Sequence, residues 1–140
     1  MYVHVVDPSS YTPPYDHALC AALADAGARV ELVCSRFAYG SVPEPRGYVR
    51  REFFYRHAIG AAGSRVRGAV KLAEHVPDML RYRRHARGAD VVHFQWLSVQ
   101  ALDRHLLAPN SKAGGGHRPL VLTSHDILPR EPRPGQLEAQ

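Results

Sequence analysis

Three groups of residues in this sequence are of types that do chemistry, and each borders an apolar run. Ser9, Ser10, Tyr11 and Thr12 place four hydroxyls in a row between Pro8 and the Pro13-Pro14 pair. Hydroxyls donate and accept hydrogen bonds and proline stiffens the segment that presents them, which suits a polyhydroxylated ligand; the same groups equally fit local backbone bonds in a proline-ordered turn. Gln95 and Trp96 set an amide beside an aromatic plate that can hold a sugar ring, while packing of Trp96 between sheet and helix is the competing reading. His125 and Asp126 pair an imidazole with a carboxylate just before Pro129. An imidazole titrates near neutral pH, so His125 can hydrogen-bond a ligand oxygen or move a proton; the alternative is a lone surface histidine.

Other chemistries lack their motifs. No G-x-G-x-x-G follows the first apolar run and no G-x-x-x-x-G-K-[ST] occurs anywhere, which speaks against a dinucleotide dehydrogenase and a P-loop enzyme. No G-x-S-x-G elbow supports serine hydrolysis. His93, His125 and Asp126 are suitable ligand types, but without H-x-x-x-H or C-x-x-C spacing they have no obvious fourth partner. No metal and no cofactor are therefore expected. Cys20 and Cys34 are too few for a disulfide framework and read as reduced core thiols.

The elements that position these residues alternate along the chain. Tyr2 to Val6 reads as a buried strand, and Leu19, Ala22, Leu23 and Ala26 recur at helical spacing from Tyr15, with Asp16 as cap and Gly27 as stop. Arg29 to Cys34 reads as the next strand, which closes a right-handed βαβ unit. Tyr48 to Arg56 reads as a third strand. Val66, Ala69, Val70, Ala73, Val76 and Leu80 then trace one helical stripe expected to pack on the sheet, with a kink at Pro77 or a new helix that has Pro77 at its first position. Asp90 to Phe94 is a strand, Val99 to Leu107 a helix and Leu120 to Thr123 the last strand. This order predicts an α/β fold, a doubly wound, mostly parallel Rossmann-like sheet flanked by helices. In such a sheet ligands bind beyond the carboxyl ends of the strands, where all three groups above fall; Gly114 to Gly116 precede a strand and read as a flexible connection.

At 140 residues, with 45% hydrophobic and 22% charged residues, the chain fits one folded domain rather than two or a disordered segment. It opens with neither the basic start nor the long apolar run of a secretory signal, and a cytoplasmic location is expected. Between Arg46 and Arg87 eleven Lys or Arg face three acids, a local +8 that leaves −3 for the rest of the net +5. This segment reads as a solvated helix face or as a surface for an anionic partner; nucleic acid is not expected, and peripheral membrane contact through the Val66 to Leu80 stripe stays open beside packing on the sheet. Gln136 to Gln140 are helix formers that end after barely one turn, which reads as a truncated chain.

The run DVVHFQWL over residues 90–97, followed by LVLTSHDILPR over 120–130, resembles the amino-terminal half of family 4 glycosyltransferases with the GT-B fold. YTPPYD at 11–16 and the turn before the second strand look like that family's first βαβ unit. The resemblance implies retaining transfer of a sugar from a nucleotide-sugar donor to a sugar, lipid or other small-molecule acceptor, in a cleft between two Rossmann-like domains. Residues 1–140 would form the acceptor-side domain, not competent alone. By the same resemblance His125 contacts the reacting sugar or acceptor, with Asp126 its neighbour, and Ser9 to Thr12 border the donor phosphates or the acceptor. The family's first-loop glycine pair is replaced here by Ser9-Ser10-Tyr11, and its paired donor-binding glutamates belong to a second domain outside residues 1–140. A free-standing, non-catalytic Rossmann-like module that binds a ligand or partner is the alternative.

Overall fold

A computed structural model describes residues 1–58, 63–107 and 118–123. The elements are β1 (Tyr2–Asp7), α1 (Pro13–Asp25), β2 (Arg29–Ser35), β3 (Val49–Phe54), α2 (Arg65–His85), β4 (Val91–Phe94), α3 (Gln100–Leu107) and β5 (Leu120–Leu122), with a short 3-10 turn at Ala86–Gly88. The strands form one sheet in the order β3-β2-β1-β4-β5, every neighbouring pair parallel. The chain therefore has the α/β, Rossmann-like architecture that its alternating pattern predicts. Parallel strands are covered on both faces, which explains why β1 and β2 are near-continuous Val, Leu and Cys runs.

Two apolar layers result. On one face Val3, Val5, Val30 and Leu32 meet Cys20, with Leu19, Leu23 and Ala24 of α1 packed against them. On the other, Val6, Val33, Phe54 and Phe94 meet Met79, Tyr82 and Leu107 of α2 and α3. Each fully buried aliphatic or aromatic side chain contributes roughly 1.5–3 kcal/mol relative to exposure. Cys20 and Cys34 are buried free thiols, as expected, and burial pushes both up to about 12.

Three local expectations need correction. Helix α1 starts at Pro13, not Tyr15, because Pro13 and Pro14 occupy its first turn, where a missing N–H costs nothing. Asp16 is thus inside the helix and buried instead of capping it. At the other end Gly27, at φ +86°, takes the left-handed turn that ends the helix and bonds Ala24 O at 2.9 Å. No new helix starts at Pro77; α2 runs through it as one element.

The third correction concerns which face of α2 meets the sheet. Of the stripe, Val66, Ala69, Ala73, Val76 and Leu80 lie exposed and Val70 is partly buried; Val66 keeps 73% of its surface in solvent. His75, Asp78, Met79 and Tyr82 are the buried residues of α2. Polar His75 and Asp78 can be buried because each finds a partner: Asp78 Oδ2 accepts the Tyr55 N–H at 2.6 Å and pairs with Arg81, and His75 bonds Tyr55 and Asp103. Among the described residues no helix is long and apolar enough to cross a membrane.

This choice of face has a measurable consequence. Met79→Ala is expected to cost about 2–5 kcal/mol in urea unfolding, whereas Leu72→Ala, on the exposed side, should change stability by no more than about 0.5 kcal/mol. The reverse order would place the sheet contact on the Val66 to Leu80 stripe.

Candidate functional site

Strand order reverses at β1, whose chain continues to α1 on one face while β4 continues to α3 on the other. The loops after β1 and β4 therefore diverge, and the crevice between them is the binding position that an open parallel sheet offers. The first loop is built on Asp7, the last residue of β1, which is completely buried. Its carboxylate accepts the backbone N–H of Ser9 at 3.2 Å, Tyr11 at 2.6 Å and Thr12 at 3.3 Å. Asp16 reaches back from the first turn of α1 and hydrogen-bonds the same carboxylate. Burial pushes both carboxyls up, but three backbone N–H groups favour the charged form of Asp7, so the shared proton rests on Asp16. Burial, followed by the Asp7 charge, raises Asp16 to about 8.

The loop so formed holds Ser10 at φ 52°, a left-handed conformation uncommon for serine, with its Oγ donating to Ser35 O at 2.6 Å. That turn directs Ser9 across the crevice: Ser9 Oγ lies 3.0 Å from Ser98 Oγ, beyond β4. Lys71 Nζ of α2 donates to Ser9 Oγ at 3.2 Å. Thr12 Oγ1 accepts Trp96 Nε1–H at 3.3 Å, and Tyr11 meets the Trp96 ring edge-on with centroids 5.4 Å apart. Ser9, Tyr11, Thr12 and Trp96 are thus gathered at one crevice, with Tyr11 and Trp96 forming an aromatic corner.

Gln95 does not share that surface. It is fully buried, its backbone N–H continues the β1–β4 ladder to Val6 O at 2.8 Å, and its amide Nε2 lies 3.3 Å from His93 Nε2. His93 Nε2 also lies 2.6 Å from Thr123 Oγ1, which ties the end of β5 to β4. His125 and Asp126, like Gly114 to Gly116, lie outside the described residues.

Cations and a buried relay complete the crevice. Ser9, Ser10 and Tyr11 line a cavity of about 300 Å³ together with Arg36, Arg67 and Lys71. A neighbouring cavity of about 490 Å³ shares Arg36, Arg67 and Lys71 and extends to Glu52, Tyr55 and Arg56. Lys71 is half-buried and its ammonium sits 4.6 Å from the Tyr55 ring centre; burial, then Arg67, lowers its pKa while Asp7 opposes the shift. Tyr55 takes φ 54° directly after β3, and its hydroxyl lies 2.8 Å from His75 Nδ1. His75 Nε2 lies 2.5 Å from Asp103 Oδ1, and Asp103 Oδ2 accepts the Val99 N–H at 2.9 Å. With the His75 proton on Nε2, Asp103 accepts it and Nδ1 accepts the Tyr55 O–H. Burial pushes Tyr55 up to about 12, against stabilising contacts from Ser98 and Ser9. The crevice can offer hydroxyl, ammonium and guanidinium groups to the oxygens of an anionic or polyhydroxylated molecule.

Tyr55, Lys71, His75, Ser98 and Asp103 were not singled out by sequence reasoning. Tyr55 was within reach of the rule that ligands sit just after strands, since β3 ends at Phe54 and not at Arg56. The others come from α2 and from the start of α3, and no local spacing marks them. No family model matches the sequence, no curated protein is similar to it, and no solved structure matches it.

The carboxyl pair makes stability depend on pH in a defined direction. An aspartate in the unfolded chain ionises near about 4, whereas folded Asp16 keeps its proton to about 8. Unfolding thus releases a proton between those values and stability falls as pH rises. Asp16→Asn, which keeps a neutral hydrogen-bonding side chain, should gain stability over the parent protein progressively from pH 4 to pH 8 in chemical unfolding. A difference that does not change with pH would place the proton elsewhere.

Proposed function

We propose that residues 1–140 are the acceptor-side domain of a retaining glycosyltransferase of the GT-B type, and that the crevice between β1 and β4 receives a polyhydroxylated substrate carrying an anionic group. The observation that carries this reading is the meeting of Ser9, Ser98 and Lys71 across the point where strand order reverses, beside the Tyr11–Trp96 corner. Hydroxyl and ammonium groups suit sugar hydroxyls, Arg36 and Arg67 suit a phosphate or carboxylate, and an aromatic face suits the apolar side of a sugar ring. The parallel sheet, in its observed order, is compatible with one half of a GT-B enzyme.

In this reading His125, with Asp126 beside it, contacts the reacting sugar or acceptor. A second domain holds the nucleotide-sugar donor and supplies most of the stabilisation of charge on its leaving phosphate during front-face displacement. Tyr55, His75 and Asp103 keep Ser9 and Ser98 in place. Two features bear on partners. The cations of residues 46–87 are partly committed within the chain, Arg51 to Glu31 and Arg81 to Asp78, which favours a small anionic ligand over nucleic acid. The exposed Val66 to Leu80 stripe supports contact with a lipid acceptor or a membrane surface.

Calorimetric titration tests the proposal with two probes, a hexose phosphate and a nucleoside diphosphate sugar. The hexose phosphate should bind, and Lys71→Ala should weaken it at least about tenfold, or about 1.4 kcal/mol. The nucleotide-sugar should bind little, and the chain alone should catalyse no transfer. Efficient turnover by residues 1–140 alone, or hexose phosphate binding indifferent to Lys71→Ala, would refute it.

A further inference from the structure

The half of the sheet away from the crevice holds a second concentration of chemistry, on the face covered by α2. His4 of β1 and Glu31 of β2 are directly paired in the parallel register. His85, the last residue of α2, stacks on the His4 ring with centroids 5.0 Å apart, and its Nε2 lies 2.8 Å from Glu31 Oε1. The candidate ligand atoms of His4, Glu31 and His85 all lie within 4.8 Å of one another. His4 is fully buried; its Nδ1 lies 3.3 Å from Tyr82 Oη, and its Nε2 has no hydrogen-bond partner. A buried ring nitrogen left unpaired costs free energy unless something fills its lone pair, so this atom points to a missing partner.

We propose that His4 Nε2, His85 Nε2 and Glu31 Oε1 form a binding site for a divalent transition ion of zinc-like chemistry, with a fourth position left to water on the side of His85 and Arg51. Two imidazoles and one carboxylate are a ligand set that zinc accepts with an open fourth position. Bonds of about 2.0–2.1 Å at tetrahedral angles put ligand atoms about 3.4 Å apart. Each of the three residues already brings one ligand atom within 4.8 Å of the other two, so an ion asks for side-chain adjustment and leaves the sheet in place. The His85 Nε2 and Glu31 Oε1 atoms already face each other at 2.8 Å, so an ion there takes the place of the proton they share.

Arg51 Nε also bonds Glu31 Oε1, while the Tyr2 hydroxyl bonds Glu31 Oε2. Arg51 is the group that must yield, and with its side chain 49% exposed it can swing into solvent. Tyr2 can remain on Oε2 and orient the carboxylate, and Tyr82 can remain on His4 Nδ1 and fix the ring, as outer partners of metal ligands do. Such an ion would tie the end of α2 to β1 and β2, far along the helix from Lys71, and so stiffen the scaffold without entering the crevice.

The experiment is titration of the tag-free protein with ZnCl₂, read by calorimetry and by bound metal after gel filtration, with Co²⁺ as a spectroscopic substitute. One equivalent should bind, the thermal midpoint should rise, and Co²⁺ should give the intense visible bands of a low-coordinate site. His85→Ala, at a partly buried position, and Glu31→Gln should each weaken binding at least tenfold. Arg51→Gln should tighten it by freeing Oε1, and His57→Ala, which removes the exposed His57–Glu74 pair, should change nothing. Absence of saturable binding, binding that survives His85→Ala, an affinity unchanged by Arg51→Gln, or loss of binding in His57→Ala would each overturn the assignment.

Discussion

One buried negative charge organises the carboxyl edge of the sheet around β1. Asp7 closes β1 with no access to solvent, and it is tolerable there only because three backbone N–H groups and the Asp16 hydroxyl converge on it. Those same bonds dictate the path of residues 8 to 12. Were the carboxylate absent, the N–H groups of Ser9, Tyr11 and Thr12 would lose their acceptor, leaving Ser10 held by its bonds to Asp7 O and Ser35 O. The placement of the hydroxyls that face the crevice is therefore a consequence of a charge buried beneath them.

The sheet separates two chemistries along one helix. Helix α2 brings Arg67 and Lys71 to the carboxyl edge, where they meet Ser9, Arg36 and Tyr55. It ends with His85 against Glu31 and His4. Between these ends, Met79 and Tyr82 pack into the apolar layer and Arg81 donates to Phe53 O at 2.6 Å. Lodging the cations at one end and the imidazole–carboxylate cluster at the other keeps each cluster beside its own partners. Asp78 and His75, enclosed on the sheet side, are fully bonded and fix the helix in rotation.

Much of the architecture was legible because parallel strands leave long apolar runs and their crossover helices leave breaks at Pro, Gly and Asp. The element order and the parallel sheet follow from that. The buried face of α2 was not legible, since its inward residues include His75, Asp78 and Tyr82 while the more apolar Val66, Val76 and Leu80 point outward. Polar residues enter a core when their partners arrive from elsewhere, here from Tyr55 and Asp103, and hydropathy spacing carries no record of such partners. The same limit applies to the site. The hydroxyl loop after β1 was readable from its position, but Lys71, Tyr55 and Ser98 join it only through folding. The His4, Glu31 and His85 group likewise spans three elements, with Glu31 and His85 54 positions apart, and falls outside any metal-binding spacing.

Amide chemical-shift mapping of the labelled protein during titration with a hexose phosphate tests most directly the proposal that the crevice between β1 and β4 receives a polyhydroxylated, anionic molecule. The account predicts saturable shifts concentrated at Ser9, Ser10, Tyr11, Ser98 and Lys71, with residues around His4 and Glu31 unmoved. Shifts centred on the opposite half of the sheet, or none at saturating ligand, would contradict it.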